Sequence, residues 1–107
     1  MLYKFKSKAA GDLIMTAPVG DRMMRLMGRE PAPQGIFQPA QMPAAIAALE
    51  RGIADEERAR REAEAEAAAE GRTLPSFREV GLRQRAWPLI EMLKRAQAAD
   101  HDIVWGV

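Results

Sequence analysis

The chain has 107 residues, no cysteine, and a net charge of +1 from 16 basic and 15 acidic side chains. This length suits one soluble domain with one core. The lack of cysteine excludes disulfides, thiolate metal sites and cysteine nucleophiles, and it fits a reducing compartment, so we expect a cytoplasmic protein. The opening residues lack the apolar run of a secretory signal, and no segment approaches the roughly 20 apolar residues of a membrane span. No membrane partner is expected.

Charge is segregated along the chain. Residues 1–35 carry six basic and three acidic side chains, residues 36–71 carry four and eight, and residues 72–107 carry six and four. Nucleic-acid binders concentrate basic residues on one surface, whereas the longest polar stretch here is acidic. We therefore do not expect nucleic acid as a partner.

Two strands are predicted at the start of the chain. Residues 2–8 alternate apolar and basic side chains, which predicts a half-buried strand with Tyr3 and Phe5 inside and three lysines outside: Lys4, Lys6 and Lys8. Residues 12–16, with three apolar side chains at their centre, read as a second strand, and the short connection through Gly11 predicts an antiparallel hairpin. The lysine row favours a solvated sheet face, although its spacing could follow a phosphate backbone.

A short helix and a loop come next. Residues 21–27 place Met23, Leu26 and Met27 on one helical face, and Gly28 is expected to cap the helix. Several methionines close in sequence favour core packing over a partner groove or a soft-metal site. Residues 30–39 contain three prolines and a glycine, which predicts a loop that Ile36 and Phe37 dock onto the core.

A long helix is predicted from Pro43. Its first part carries an apolar stripe that should pack on the sheet, formed by Met42, Ile46, Leu49 and Ile53. From residue 55 to residue 70 the chain contains only Asp, Glu, Arg and Ala, with ion pairs expected at four-residue spacing, such as Glu56 with Arg60 and Glu57 with Arg61. We expect residues 55–71 to project from the domain, to fray, or to contact another helix. A second loop with apolar anchors is expected at residues 73–77.

The last elements are a helix and a strand. Residues 82–96 have a helical apolar face interrupted by Pro88, which predicts a kink near Arg85 or a break. Residues 103–107 predict a third strand that pairs with the hairpin. The expected fold is α+β with two layers, in which about three helices cover a three-stranded antiparallel sheet in the order ββαααβ. Residues 1–107 form one domain.

The sequence also resembles a known family. The shared stretches are residues 1–8 with Gly11 and Asp12, residues 28–36, 42–46 and 82–90, and the closing residues 102–107. With these stretches the chain resembles the bacterial family described as domain of unknown function 1840 (DUF1840). The resemblance implies a bacterial cytoplasmic protein, and it brings no catalytic residue, cofactor or partner with it.

The candidate site residues are Arg83, Arg85 and Trp87. Guanidinium groups recognise carboxylates and phosphates, so this group could contact an anion or an acidic partner. A structural role is the alternative, in which an arginine satisfies carbonyls freed by Pro88 and Trp87 covers the sheet. His101 lies between Asp100 and Asp102, but one histidine without a second His or Cys favours a solvated turn over a metal site.

No catalytic motif is present, so no catalytic, cofactor-binding or metal-binding residue is predicted. The leading hypothesis is a small cytoplasmic interaction or regulatory module without catalytic activity. It would contact another protein through the helical extension or the Arg/Trp surface and self-associate through a strand edge. The alternative is a small-molecule or anion-binding protein, or an enzyme of unrecognised mechanism, with a pocket between the Pro88 helix and the loops around Ile36 and Phe77.

Overall fold

The computed structural model describes residues 2–72 and 81–107. The predicted loop at residues 73–77 lies outside the described residues. The elements follow in the order β1 (Leu2–Ser7), β2 (Ala10–Thr16), α1 (Ala17–Leu26), β3 (Gly35–Phe37), α2 (Met42–Ala69), α3 (Leu82–Ala99) and β4 (Ile103–Trp105), with a 3-10 turn at Pro39–Gln41 before α2.

The sheet is antiparallel throughout and has four described strands in the order β2-β1-β4-β3. The α+β class and the hairpin are confirmed, but the prediction of three strands is wrong because β3 lies within the expected loop. Only three residues pair there, opposite β4, too few for an alternating pattern to be visible. Phe37 is buried as predicted, whereas Ile36 is 39% exposed and does not dock onto the core.

Glycine allows β3 to approach the indole of β4. A Cβ atom at Gly35 would lie 2.3 Å from Cζ2 of Trp105, so the indole packs closely against β3 at Gly35. The indole Nε1 donates a hydrogen bond of 3.0 Å to the carbonyl of Ala32, which fixes the preceding loop.

The core lies between the sheet and the helices. Tyr3 and Phe5 are buried and Lys4 is exposed, so the predicted alternation of β1 is confirmed. The phenol of Tyr3 donates a hydrogen bond to Asp21, and burial, reinforced by that carboxylate, raises the pKa of Tyr3 to about 12. Its ring also occupies the space where Gly20 has no side chain.

Helix α1 begins at Ala17, earlier than the predicted Asp21, and has Pro18 in its first turn. Met23 and Met24 are fully buried, so these methionines fill the core as expected. Gly28 has φ of +78°, and the next amide, from Arg29, donates to the carbonyl of Met24 at 2.8 Å. The predicted glycine cap is confirmed.

Helix α2 changes character along its length. The predicted apolar stripe is buried in the core, and Ile53 is its last member there. From residue 54 to residue 69, Ala67 alone is buried, and it lies outside the core cluster. The molecule measures 52 × 27 × 23 Å with a radius of gyration of 16.1 Å, against roughly 13 Å for a compact chain of this length.

Helix α3 runs unbroken through Pro88, so the predicted break does not occur. Proline removes one hydrogen bond to the carbonyl of residue 84, but burial of Leu89, Ile90 and Leu93 holds the helix on the core. Asp100 ends it at φ of +58°, and His101 is exposed in the turn before β4. None of the helices within the described residues is both long and apolar enough to cross a bilayer.

Candidate functional site

A groove of about 840 Å³ opens where the three helices meet. Its walls are the start of α1, the middle of α2 and the start of α3. The lining residues are Pro18, Val19 and Arg22 from α1, Glu56, Glu57, Ala59, Arg60 and Ala63 from α2, and residues 81–85 at the start of α3. Because four of them are arginines, we call this surface the arginine groove.

Glu56 joins the three helices at the base of the groove. Its Oε1 accepts a hydrogen bond of 2.9 Å from Nη2 of Arg22 on α1. Its Oε2 accepts one of 3.0 Å from the backbone N–H of Leu82, the first residue of α3. A carboxylate in this position satisfies an amide that has no partner within its own helix and interacts favourably with the helix dipole. One side chain of α2 therefore fixes both neighbouring helices.

Glu57 makes the second link between α2 and α3. Its Oε1 accepts a hydrogen bond of 2.7 Å from Nε of Arg83. This bond and the guanidinium charge lower the pKa of Glu57, and the same bond raises the pKa of Arg83. Both groups therefore stay charged at neutral pH.

Most of the remaining residues that line the groove are apolar or positively charged. Its apolar surface comes from short side chains between the helices: Val19, Ala59 and Ala63. Four arginines face two glutamates, and the N-terminal ends of α1 and α3, which carry partial positive charge, both open here. The residues that line the groove thus carry four positive and two negative charges, and Glu64 pairs with one of the arginines, Arg60.

The predicted group of Arg83, Arg85 and Trp87 is divided by the structure. Arg83 and Arg85 both line the arginine groove, and Arg85 is half-buried. Trp87 is 51% exposed and does not line it. Of the two loop anchors expected beside a pocket, Ile36 lies in β3 and outside the groove, and Phe77 lies outside the described residues.

Sequence reasoning missed Arg22, Glu56 and Glu57 as site residues. The rule for neighbours on one helix assigned the two glutamates to arginines four residues later. In the structure they bond to Arg22 and Arg83, which are 34 and 26 residues away, and Arg60 bonds to Glu64. No local spacing signals contacts of that range. The one sequence cue is that two adjacent glutamates begin three residues after Ile53, where the apolar stripe of α2 ends.

The chemistry available in the groove is anion recognition. Within residues 2–72 and 81–107, no three His, Cys, Asp or Glu side chains are grouped to hold a metal ion. The hydroxyl of Ser7 accepts a bond from the amide of Ala9 in the hairpin, and Ser76 lies outside the described residues. Guanidinium groups bind carboxylates and phosphates through paired, charge-assisted hydrogen bonds.

The sequence matches the model of a protein family over almost its whole length. A family model described as "Domain of unknown function (DUF1840)" matches residues 1–105, a range that contains every strand and helix reported above. Neither the curated proteins nor the solved structures yield a match.

Proposed function

Since the chain belongs to the DUF1840 family, whose description states no activity, we propose its function from the arginine groove: it is a non-catalytic interaction module that binds an acidic segment of another protein. One observation carries this proposal, the convergence of four arginines and several apolar side chains in one groove at the junction of three helices. We place the interaction in the cytoplasm, in keeping with a chain that has no cysteine.

Two of the arginines, Arg22 and Arg83, are held in place by ion pairs that leave further N–H donors on each guanidinium. The ion pairs engage Nη2 of Arg22 and Nε of Arg83, one nitrogen of each guanidinium. A guanidinium carries five N–H donors, so each of these two side chains can receive a further carboxylate. Holding a long side chain in advance lowers the entropy lost on binding. Glu56 and Glu57 then hold Arg22 and Arg83 in position for binding.

An elongated ligand suits the shape of the groove. Glu56 and Ala63 both line it and lie seven residues apart on α2, which is about 10 Å along the helix axis. We propose that the charged extension, residues 55–71 of this single domain, projects from the core and forms one wall of a site for a peptide segment. The alanines of the extension would allow the backbone of the partner to approach closely, while the arginines of the groove select acidic side chains.

Peptide selection tests the proposal. A random peptide library captured on the protein should enrich sequences rich in Asp and Glu. Affinity of an enriched peptide, followed by fluorescence anisotropy, should fall about tenfold in Arg85→Ala, because a hydrogen bond to a charged group contributes roughly 1.5–3 kcal/mol. Arg95→Ala is the matched control, since this exposed arginine lies on the same helix outside the groove. Enrichment of neutral or basic peptides would refute the proposal.

A small anionic metabolite is the second candidate. The volume of about 840 Å³ lies within the roughly 300–1,000 Å³ of small-ligand sites. A panel of di- and tricarboxylates and phosphates, tested by thermal shift, distinguishes the two ligands. A compound present at 100 times its dissociation constant adds about 2.7 kcal/mol of stability. A rise in melting temperature that Arg85→Ala abolishes, combined with no enrichment of acidic peptides, would favour this candidate.

A further inference from the structure

The two edges of the sheet differ in how they are protected. The β3 edge has only three residues, and Pro33 and Pro39 flank it. Arg29 Nη1 donates a hydrogen bond of 2.8 Å to the carbonyl of Ile36, and the same guanidinium lies 4.2 Å from the centroid of the Phe37 ring. Short length, nearby prolines and a charged group at the edge are the usual devices that prevent strand addition. These features protect the β3 edge against pairing with another strand.

The β2 edge is less protected, although Pro18 follows two residues after its end and its pairing with β1 shifts register between Phe5 and Ser7. It is the longest strand, Ala10–Thr16, and it contains no lysine, arginine or proline. Its one charged side chain, Asp12, already pairs with Lys4 of β1 at 3.7 Å. Within the described residues no strand pairs with its outer side. Two exposed apolar side chains lie on the outer face beside it, Ile14 at 57% and Leu2 at 62% exposure.

We infer that β2 pairs antiparallel with β2 of a second copy, so that two four-stranded sheets join into one of eight strands. A second copy fits because the strand complements itself. Pairing about Ile14 sets that residue opposite its own equivalent, Leu13 opposite Met15, and Asp12 opposite Thr16. Each apolar side chain then meets an apolar one, and each polar side chain meets a polar one.

Other registers match poorly. Facing residues must point to the same side of the sheet, so the neighbouring registers centre on Leu13 or Met15. Centring on Leu13 sets Ile14 opposite Asp12, and centring on Met15 sets Ile14 opposite Thr16, so each of them places an apolar side chain against a polar one. Pairing about Ile14 also extends the core, because Leu13 is only partly buried at its margin and Met15 is buried beside it. The resulting two-fold contact is closed and leaves no free β2 edge.

Light scattering after size exclusion tests the inference. The wild-type chain should elute with twice the 11.9 kDa mass of one chain. Ile14→Lys should elute with the mass of a single chain, because two lysines would face each other across the contact. Ile36→Lys is the matched control: the same change at an exposed isoleucine on the other edge strand should leave the dimer intact. Circular dichroism checks that both variants remain folded.

Cross-linking tests the register. The chain has no cysteine, so Ile14→Cys introduces the only thiol. Facing residues in an antiparallel pair have Cα atoms about 4.5–5.5 Å apart, within the range of a disulfide. Mild oxidation should convert Ile14→Cys into a covalent dimer and leave Ile36→Cys unlinked. A wild-type chain that stays monomeric at all concentrations overturns the inference, and so does a dimer that Ile14→Lys leaves unchanged.

Discussion

The two halves of α2 form one continuous helix but are stabilised in different ways. The proximal half buries Met42, Leu49 and Ile53 in the core. The distal half, residues 54–69, consists of Asp, Glu, Arg and Ala and depends on helix propensity, on ion pairs such as Arg60 with Glu64, and on the contacts of its first turn with α1 and α3. Regular secondary structure therefore says little about local stability, and the proposed site lies at the less stable end of the helix.

Removing a core side chain from the proximal half should have the largest effect. Leu49→Ala is expected to lower the free energy of unfolding by about 2–5 kcal/mol, because Leu49 is fully buried and its removal leaves a cavity. Urea denaturation followed by circular dichroism measures the loss. Arg61→Ala, at an exposed distal position, should change the same quantity by less than about 0.5 kcal/mol. Similar losses in the two variants would contradict the division of α2.

A substitution at the junction between the two halves of α2 should cause the second-largest loss in the free energy of unfolding. Glu56→Ala is expected to cost about 1–2 kcal/mol, because it leaves the Leu82 amide without its capping carboxylate and Arg22 without its ion pair. Denaturant titration measures this loss in the free energy of unfolding. Glu62→Ala serves as the control, since Glu62 is exposed on the same helix and does not line the groove. If both glutamates proved equally dispensable, Glu56 would not join the helices as described.

A matched pair of glycine substitutions compares the halves directly. Ala47 and Ala65 are both exposed on α2, and glycine costs about 1 kcal/mol relative to alanine in a helix interior. Ala47→Gly should lower global stability by that amount, whereas Ala65→Gly should lower it less, because the distal half can open while the core stays folded. Hydrogen exchange of the distal amides should instead accelerate in Ala65→Gly. Equal global losses would show that α2 unfolds as one unit.

The smallest effect should come from the exposed pair of Glu57 and Arg83. The folded state lowers the pKa of Glu57, so its contribution to stability is present at neutral pH and is lost as the pH falls through that lowered pKa. Melting temperatures of the wild type and of Glu57→Gln should therefore differ slightly at pH 7 and converge in acid. A difference that persisted unchanged at low pH would exclude the ion pair as its cause.

Most of the fold could be predicted because its signals are local. Alternation placed Tyr3 and Phe5 inside, four-residue spacing placed Leu49 in the core, and Gly28 capped α1. The strand at residues 35–37 could not be predicted in this way, because three residues between prolines have no period, and they form a strand only where β4 offers an edge.

The site was predicted only in part. Arg83 and Arg85 were selected for their chemistry, and both line the groove. Trp87 was grouped with them by proximity along the chain, but it lies one helical turn beyond Arg83, and the groove borders only residues 81–85 at the start of α3. The partners on α1 and α2 were not predicted, since their contacts with α3 and with each other cross 26 to 34 residues of sequence.

The sequence by itself determined which face of β1, of the proximal half of α2 and of α3 is buried, because the period of apolar residues reports local geometry and the solvent preference of each side chain. Only the tertiary structure decided that Glu56 and Glu57 hold α1 and α3 together, that four arginines border one groove, and that Arg29 closes one sheet edge while β2 stays open. Those facts depend on how elements far apart in sequence are placed against one another, and packing of the whole core sets that placement.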